Sequence, residues 1–322
     1  MIVVWRMTER CNLSCAFCAF DRTLAITRRD AELLSVERFG RLLGDYRRTT
    51  GERVLVSWLG GEPLLWEPVY EVSRWLRRTF DVDISATTNG TTLHLAQVRA
   101  DLLDCFSELT VSVDGLPEFH DRIRGWRGGW QRLRAAVQAL ARARAGAGAT
   151  LKLRANVVVM RDNLPEFADL CAALAEWGLD EITFNQLGGR DRPSFFAAHG
   201  MRPQDVRTLS LLLPALRAAL AARGVHLCAN AQYLERIEAS ANGRRIAVVD
   251  CAPGERFLFI DERGRVAPCS FTTAELGLSL EDIRTLDDLR RLPARFADAR
   301  RRMPAPACGD CPSTQVFAKF AV

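Results

Sequence analysis

The first two-thirds of the chain alternates short runs of β-branched and apolar residues with amphipathic stretches, and this alternation restricts the fold more than any other feature. Strands are expected at residues 2–6, 53–58, 82–87, 108–113, 151–159 and 181–186. Helical stretches lie between them at 35–48, 67–79, 127–145 and 164–176, with Leu133, Val137 and Leu140 spaced to bury one face. Repeated strand–helix units build a parallel sheet, and such sheets hold ligands at the carboxyl ends of their strands. A further helix is expected at 203–222. From about residue 225 the pattern changes to short strands, turns and paired cysteines, which divides the chain into 1–224 and 225–322. The Ala/Arg/Gly-rich stretch 141–149 reads as a helix end and loop.

At 48% hydrophobic and 26% charged residues the composition is that of a globular protein. No apolar run approaches the roughly 18 residues that a membrane span needs. Arg6, Glu9 and Arg10 interrupt the short apolar start, so no signal peptide is expected. These features predict a cytoplasmic protein without a membrane partner, and in that reducing compartment ten cysteines point to metal or catalytic use. A net charge of +5 spread along the chain gives no nucleic-acid footprint. The run Arg300 to Arg302 reads as the solvated end of a helix, where positive charge suits the dipole.

Cys11, Cys15 and Cys18 follow the first strand in the run CNLSCAFC, a C-x3-C-x2-C spacing. Three thiolates from one loop leave the fourth iron of a 4Fe-4S cube open to a small-molecule ligand, whereas electron-transfer clusters use four cysteines. A zinc loop or scattered buried thiols are the bland alternatives. Gly60-Gly61-Glu62-Pro63 follows the second strand, where glycines permit close backbone approach and a carboxylate can accept from an amino group; a tight turn explains the run as well. Thr87-Thr88-Asn89-Gly90 ends the third strand and Ser112-Val113-Asp114-Gly115 the fourth. Their hydroxyls and amides can meet ribose or carboxylate groups, or serve the turns themselves. Arg154 and Asn156 alternate with apolar neighbours on the fifth strand, on one face, and an inward arginine there would need an anionic partner. The sixth strand ends in Asn185 and Gln186, expected to border a ligand or to close the strand end.

Near the C-terminus, Cys251, Cys269, Cys308 and Cys311 sit around a hairpin and a later C-x2-C loop, a set that suits either an iron-sulfur cluster or tetrahedral zinc. Cys105 and Cys171 have the spacing of core residues. Cys228, near the domain junction, is either a buried thiol or a hydrogen-atom donor.

The C-x3-C-x2-C run with the GGEP motif one strand–helix unit later resembles the radical SAM superfamily. That resemblance implies a partial (β/α)6 barrel and S-adenosylmethionine (SAM) bound through its amino and carboxylate groups to the open iron of a 4Fe-4S cluster. It implies cysteine ligation by Cys11, Cys15 and Cys18, the GGEP motif at the SAM amino group, and Phe17 near the adenine. Thr88, Asn89, Ser112, Asn156 and Asn185 are the further candidates for cofactor contact, and the SAM carboxylate is a candidate partner for Arg154. The C-terminal cysteines resemble the twitch version of the SPASM domain, implying one auxiliary 4Fe-4S cluster on Cys251, Cys269, Cys308 and Cys311. Electrons would come from a flavodoxin or ferredoxin. A fully ligated auxiliary cluster suits electron acceptance, so the leading expectation is dehydrogenation of a small alcohol, sugar or aminocyclitol. Oxidative crosslinking of a peptide is the alternative, although only ten residues precede Cys11, too few for an N-terminal peptide-recognition domain. Epimerisation, with Cys228 returning hydrogen, is a third. The cyclase of molybdopterin synthesis fits poorly, because residues 319–322 lack its paired glycines.

Overall fold

The computed structural model describes residues 1–320; Ala321 and Val322, in the C-terminal run compared above with the cyclase, lie outside the described residues. Six strands form where expected: β1 (Ile2–Thr8), β2 (Leu55–Gly60), β3 (Asp83–Thr88), β4 (Glu108–Ser112), β5 (Lys152–Val159) and β6 (Glu181–Gln186). All six pair parallel in sequence order. The connections carry α1 (Leu33–Thr50), α2 (Val69–Phe80), α3 (Ala96–Cys105), α4 (Pro117–Arg124), α5 (Gly129–Ala147) and α6 (Phe167–Leu174). Then follow α7 (Pro193–His199) and α8 (Pro203–Ala221). Helices α3, α4 and α7 fall in stretches where no helix was expected. Two of them are only seven and eight residues long, too short for a periodic apolar face to show in sequence.

Alternate side chains on each strand divide the protein into layers. Val3, Trp5, Val56, Trp58, Ile84, Leu109, Val111, Leu153, Ala155 and Val157 face the helices and are almost wholly buried in one core. The opposite set, including Val4, Ser57, Ser85, Thr110 and Arg154, lines an interior cavity in which polar and apolar side chains are mixed. A sheet buried on both faces therefore has one apolar and one mixed side, as a partial barrel needs.

Short strands from residue 226 onward extend the sheet at both edges. β7 (His226–Cys228) pairs parallel with β6. After α9 (Ala231–Ala241), β8 (Phe257–Ile260) pairs parallel with the outer edge of β1, and β9 (Arg265–Ala267) and β10 (Leu278–Ser279) continue antiparallel, flanking α10 (Thr273–Leu276). One ten-stranded sheet runs in the order β10-β9-β8-β1-β2-β3-β4-β5-β6-β7, and α11 (Leu286–Arg302) follows. The apolar run Phe257-Leu-Phe-Ile forms the expected hairpin, β8 with β9, and also covers an edge that β1 would otherwise present to solvent. Among the described residues no helix is long and apolar enough to cross a membrane.

Candidate active site

The cysteine loop leaves the carboxyl end of β1 and is held by its neighbours. Within it Cys18 N–H donates to Cys15 O (3.0 Å) and Phe20 N–H to Cys18 Sγ (3.4 Å). Arg28 gathers the carbonyls of Glu9 (2.8 Å), Phe20 (3.2 Å) and Asp21 (2.6 Å), tying the two ends of the loop together. Burial pushes the Cys15 thiol up to about 12, and it also raises Cys11 and Cys18. Thiols in this environment favour a state in which the sulfur charge is neutralised by metal.

The GGEP motif abuts this loop. Gly61 N–H donates to Thr8 O and Glu62 N–H to Arg10 O, both at 2.8 Å. A Cβ on Gly61 would lie 2.2 Å from Arg10 O, and Gly60, at φ +155°, would bring one to 2.3 Å from Thr8 O. The close approach that requires glycine is thus to the protein's own backbone beside Cys11. Glu62 is fully buried and accepts from Thr88 Oγ1 (2.7 Å), Asn89 N–H (2.6 Å) and Leu64 N–H (3.1 Å). Three of its roughly four acceptor positions are used, leaving one for a ligand donor. Burial pushes its carboxyl up to about 7 despite those donors. Asn89 in turn donates to Asn12 Oδ1 (2.9 Å) and lies 3.7 Å from Cys11 Sγ. Thr88, Asn89 and Glu62 therefore form one clamp on the cysteine loop.

Arg124, absent from the candidate residues, is the buried cation of the site. Its guanidinium pairs with Asp114 at 2.7 Å, both side chains nearly inaccessible, and lies 6.0 Å from the centre of the Phe17 ring. Its charge pulls the Cys15 and Cys18 thiols down against the larger effect of burial. Asp114 also accepts from Val158 N–H (2.8 Å), joining β4 to β5. The next residue, Gly125, packs on the loop; a Cβ there would lie 2.2 Å from Ser14 Oγ, and φ is +61°. The signal in sequence is the run Arg124-Gly125 closing a short helix that follows SVDG, legible only once that helix is recognised. Phe17 borders a small apolar cluster of Phe119, Ile123, Met160 and Leu187 with Phe195 and Phe196. Its edge position suits a flat aromatic ligand.

Arg154 departs from expectation. It pairs with Glu181 (2.5 Å) and Glu108 (3.4 Å), first residues of β6 and β4, at the amino end of the strands. Protein carboxylates neutralise it there, away from the cysteine loop, so it does not need the ligand carboxylate. Ser112 continues the inward row of Glu108 and Thr110 toward the loop, and its hydroxyl makes no hydrogen bond among the described residues. Asn156 lies level with Ser112 and Asn185 two positions nearer the carboxyl ends, joined by an Asn185 Nδ2 to Asn156 Oδ1 bond of 3.2 Å. Cys228 is buried on β7 opposite Thr183. Cys105 and Cys171 belong to the core, as expected.

The four C-terminal cysteines line one largely apolar cavity of about 350 Å³ with Phe257, Phe271 and Val316. Among the described residues no three His, Cys, Asp or Glu side chains converge on a single metal ion. Four thiols around one cavity can hold either a 4Fe-4S cluster or a tetrahedral zinc ion. Arg300 turns inward from α11, donating to Cys251 Sγ at 3.4 Å and to Val248 O. It is thus no part of a wholly solvated helix end. Asp310, between the last two cysteines, pairs with the buried Arg236 of α9 and accepts from Ile246 N–H at 3.1 Å. Cys269 also lines a second cavity of about 490 Å³ that occupies the barrel interior between β1 and β6.

Residues 5–172, just over half of the chain, match the radical SAM superfamily. The chain belongs to that superfamily. Membership implies SAM and a 4Fe-4S cluster, and the buried, hydrogen-bonded thiols beside Arg124 fit both. This radical SAM protein is 26% identical over 283 residues to the AdoMet-dependent heme synthase of Methanosarcina barkeri, covering 84% of this chain and 76% of the relative. It is 26% identical to the PqqA peptide cyclase of Xanthomonas campestris over 98% of this chain and 80% of that protein. Its fold matches Streptococcus suis SuiB bound to the precursor peptide SuiA with a TM-score of 0.65 at 17% identity, over 89% of this chain. The match spans 63% of the SuiB chain, under two thirds of its length.

Proposed function

We propose that this radical SAM enzyme oxidises a peptide, with the cysteines at 11, 15 and 18 holding the SAM-binding cluster and those at 251, 269, 308 and 311 an auxiliary one. The observation that carries the oxidative part is Cys269, which lines both the C-terminal cysteine cavity and the cavity inside the barrel, so an electron acceptor there would border the barrel interior. The peptide part rests on the peptide cyclase and on the SuiB–SuiA complex among the similar proteins. It takes the place of the small alcohol or aminocyclitol expected from sequence.

When bound, reduced cluster and SAM supply a carbon radical that removes a hydrogen atom from substrate, and the auxiliary cluster an acceptor for the second electron. The chain's own groups do the rest. Arg124 pairs with Asp114 but its buried Nε–H makes no hydrogen bond among the described residues, which leaves a donor for the SAM carboxylate, and Glu62 keeps one acceptor position for its amino group. Phe17 offers an aromatic edge to the adenine, and Ser112 a free hydroxyl to the inward face of the ligand.

The test is anaerobic incubation of reconstituted enzyme with SAM, dithionite and the short peptides encoded beside its gene, read by mass spectrometry. A peptide lighter by two hydrogens, with one 5'-deoxyadenosine formed per product, is expected. Mass loss only from added sugars or alcohols would overturn the peptide assignment.

A further inference from the structure

Residues 313–320 re-enter the barrel and carry a lysine into its interior. Ser313, Thr314, Gln315 and Phe320 line the same interior cavity as β1 to β6, and the Phe320 ring lies 5.0 Å from the Arg154 guanidinium. The segment is wound into turns by Phe317 N–H to Ser313 O (3.4 Å) and Lys319 N–H to Thr314 O (3.1 Å). Ala318, immediately before Lys319, sits at φ +49°, a left-handed conformation that costs a non-glycine residue about 1 kcal/mol and persists only where the surroundings enforce it. Lys319 is 4% exposed, and its Nζ donates to Asn156 Oδ1 and Asn185 Oδ1, each at 2.8 Å.

Among the described residues no carboxylate lies within ion-pair distance of Lys319. On β4, β5 and β6 the charged groups facing this space, Glu108, Lys152, Arg154 and Glu181, pair with one another. β7 contributes Cys228, and α9 contributes Tyr233, whose hydroxyl donates to Asn185 at 3.3 Å. A buried ammonium with only neutral acceptors is costly, and an apolar residue would fill the space at lower cost. Two Nζ hydrogens directed at two amide oxygens leave one tetrahedral corner, which in the neutral amine is a lone pair. Burial, with Arg154 adding to it, lowers Lys319 to about 7, so this neutral form is populated near neutrality.

We propose that Lys319 is a catalytic proton acceptor, oriented by Asn156 and Asn185, which takes the proton from the substrate N–H, O–H or S–H adjoining the carbon that loses hydrogen. The heteroatom–hydrogen bond breaks, its electron pair stays on the heteroatom, and the amine becomes ammonium. This rests on the oxidative reading above, in which removal of a hydrogen atom and an electron leaves one proton to be taken.

The chain has two lysines, Lys152 and Lys319, so [13C]lysine labelling of the reconstituted full-length protein yields two Cε signals, assigned by the one lost in Lys319→Arg. The Lys319 signal is expected to titrate with a midpoint of about 7. In single turnover with the peptide, Lys319→Met should lower product formation at least about 100-fold while 5'-deoxyadenosine still forms from SAM. Lys319→Arg should not rescue, because a guanidinium does not give up its proton near neutral pH. A midpoint at the ordinary value of 10.5, or wild-type turnover in Lys319→Arg, overturns the proposal whatever the substrate. A wild type that oxidises no peptide overturns the peptide reading, while a midpoint near 7 continues to support Lys319.

Discussion

The two cysteine sites are built in opposite ways. The first loop is braced by protein on every side: by Gly60 and Gly61 against its backbone, Asn89 beside Cys11, Gly125 against Ser14, and Arg28 across its ends. The second set has Cys251 and Cys311 in irregular segments and Cys308 at the end of a single 3-10 turn, tied to the rest of the chain chiefly through Arg236, Arg300 and one backbone bond from Cys311 to Ile246. The contrast teaches that the fold prepares the first site before any cluster arrives, whereas at the second the cluster itself must supply much of the order.

The largest effect that tests this contrast is functional. Cys15→Ala should abolish 5'-deoxyadenosine formation while barely moving the thermal midpoint, because the bracing of the loop does not run through that thiol. Undiminished SAM cleavage in this variant would remove the loop from the chemistry altogether.

Cys308→Ala should behave in the reverse sense. Bound iron should fall from about eight to about four per chain, peptide product should vanish with some SAM cleavage persisting, and the thermal midpoint should drop well below that of Cys15→Ala. Equal midpoints for the two variants would erase the proposed difference in how the sites are ordered.

Arg124→Met should cost about 3–5 kcal/mol in urea unfolding, since it strands the buried Asp114 carboxylate. The double variant Arg124→Met/Asp114→Asn should recover part of that stability without recovering SAM affinity. Recovery of both would reduce Arg124 to a structural partner of Asp114.

The smallest effect concerns pH. Glu62 has a folded-state pKa raised from 4.5 to about 7, so the native state holds its proton more tightly than the unfolded chain. Its contribution to stability is therefore complete below about pH 4.5 and is lost as pH rises to about 7. Glu62→Gln should flatten that part of the stability–pH curve and cost about 1–3 kcal/mol, because the new amide sets a donor against the Asn89 or Leu64 N–H. An unchanged slope in the variant would show that another group titrates there.

The strands, the long helices and the cysteine groupings were legible because each leaves a local mark: an apolar run, a helical period or a fixed spacing. Cys105 and Cys171 were readable as core for the same reason. What escaped depends on contacts between distant residues. Arg154 carries the inward position expected of it, but its partners Glu108 and Glu181 begin two neighbouring strands, and nothing local pairs them with it. Arg124 escaped because its eight-residue helix is too short for its buried face to show in sequence, and Lys319 because entry of residues 313–320 into the barrel is a tertiary event.

The pairing of β8 with β1 also has a temporal meaning. Ile2 and its partner Phe257 are 255 positions apart, so at ribosomal rates of about 5–20 residues per second the first strand waits roughly 13–50 s for its outer neighbour. Throughout that interval the nascent chain carries an open strand edge directly beneath the cysteine loop. Until Phe257 has been synthesised and has paired, that edge is open to non-native β-pairing.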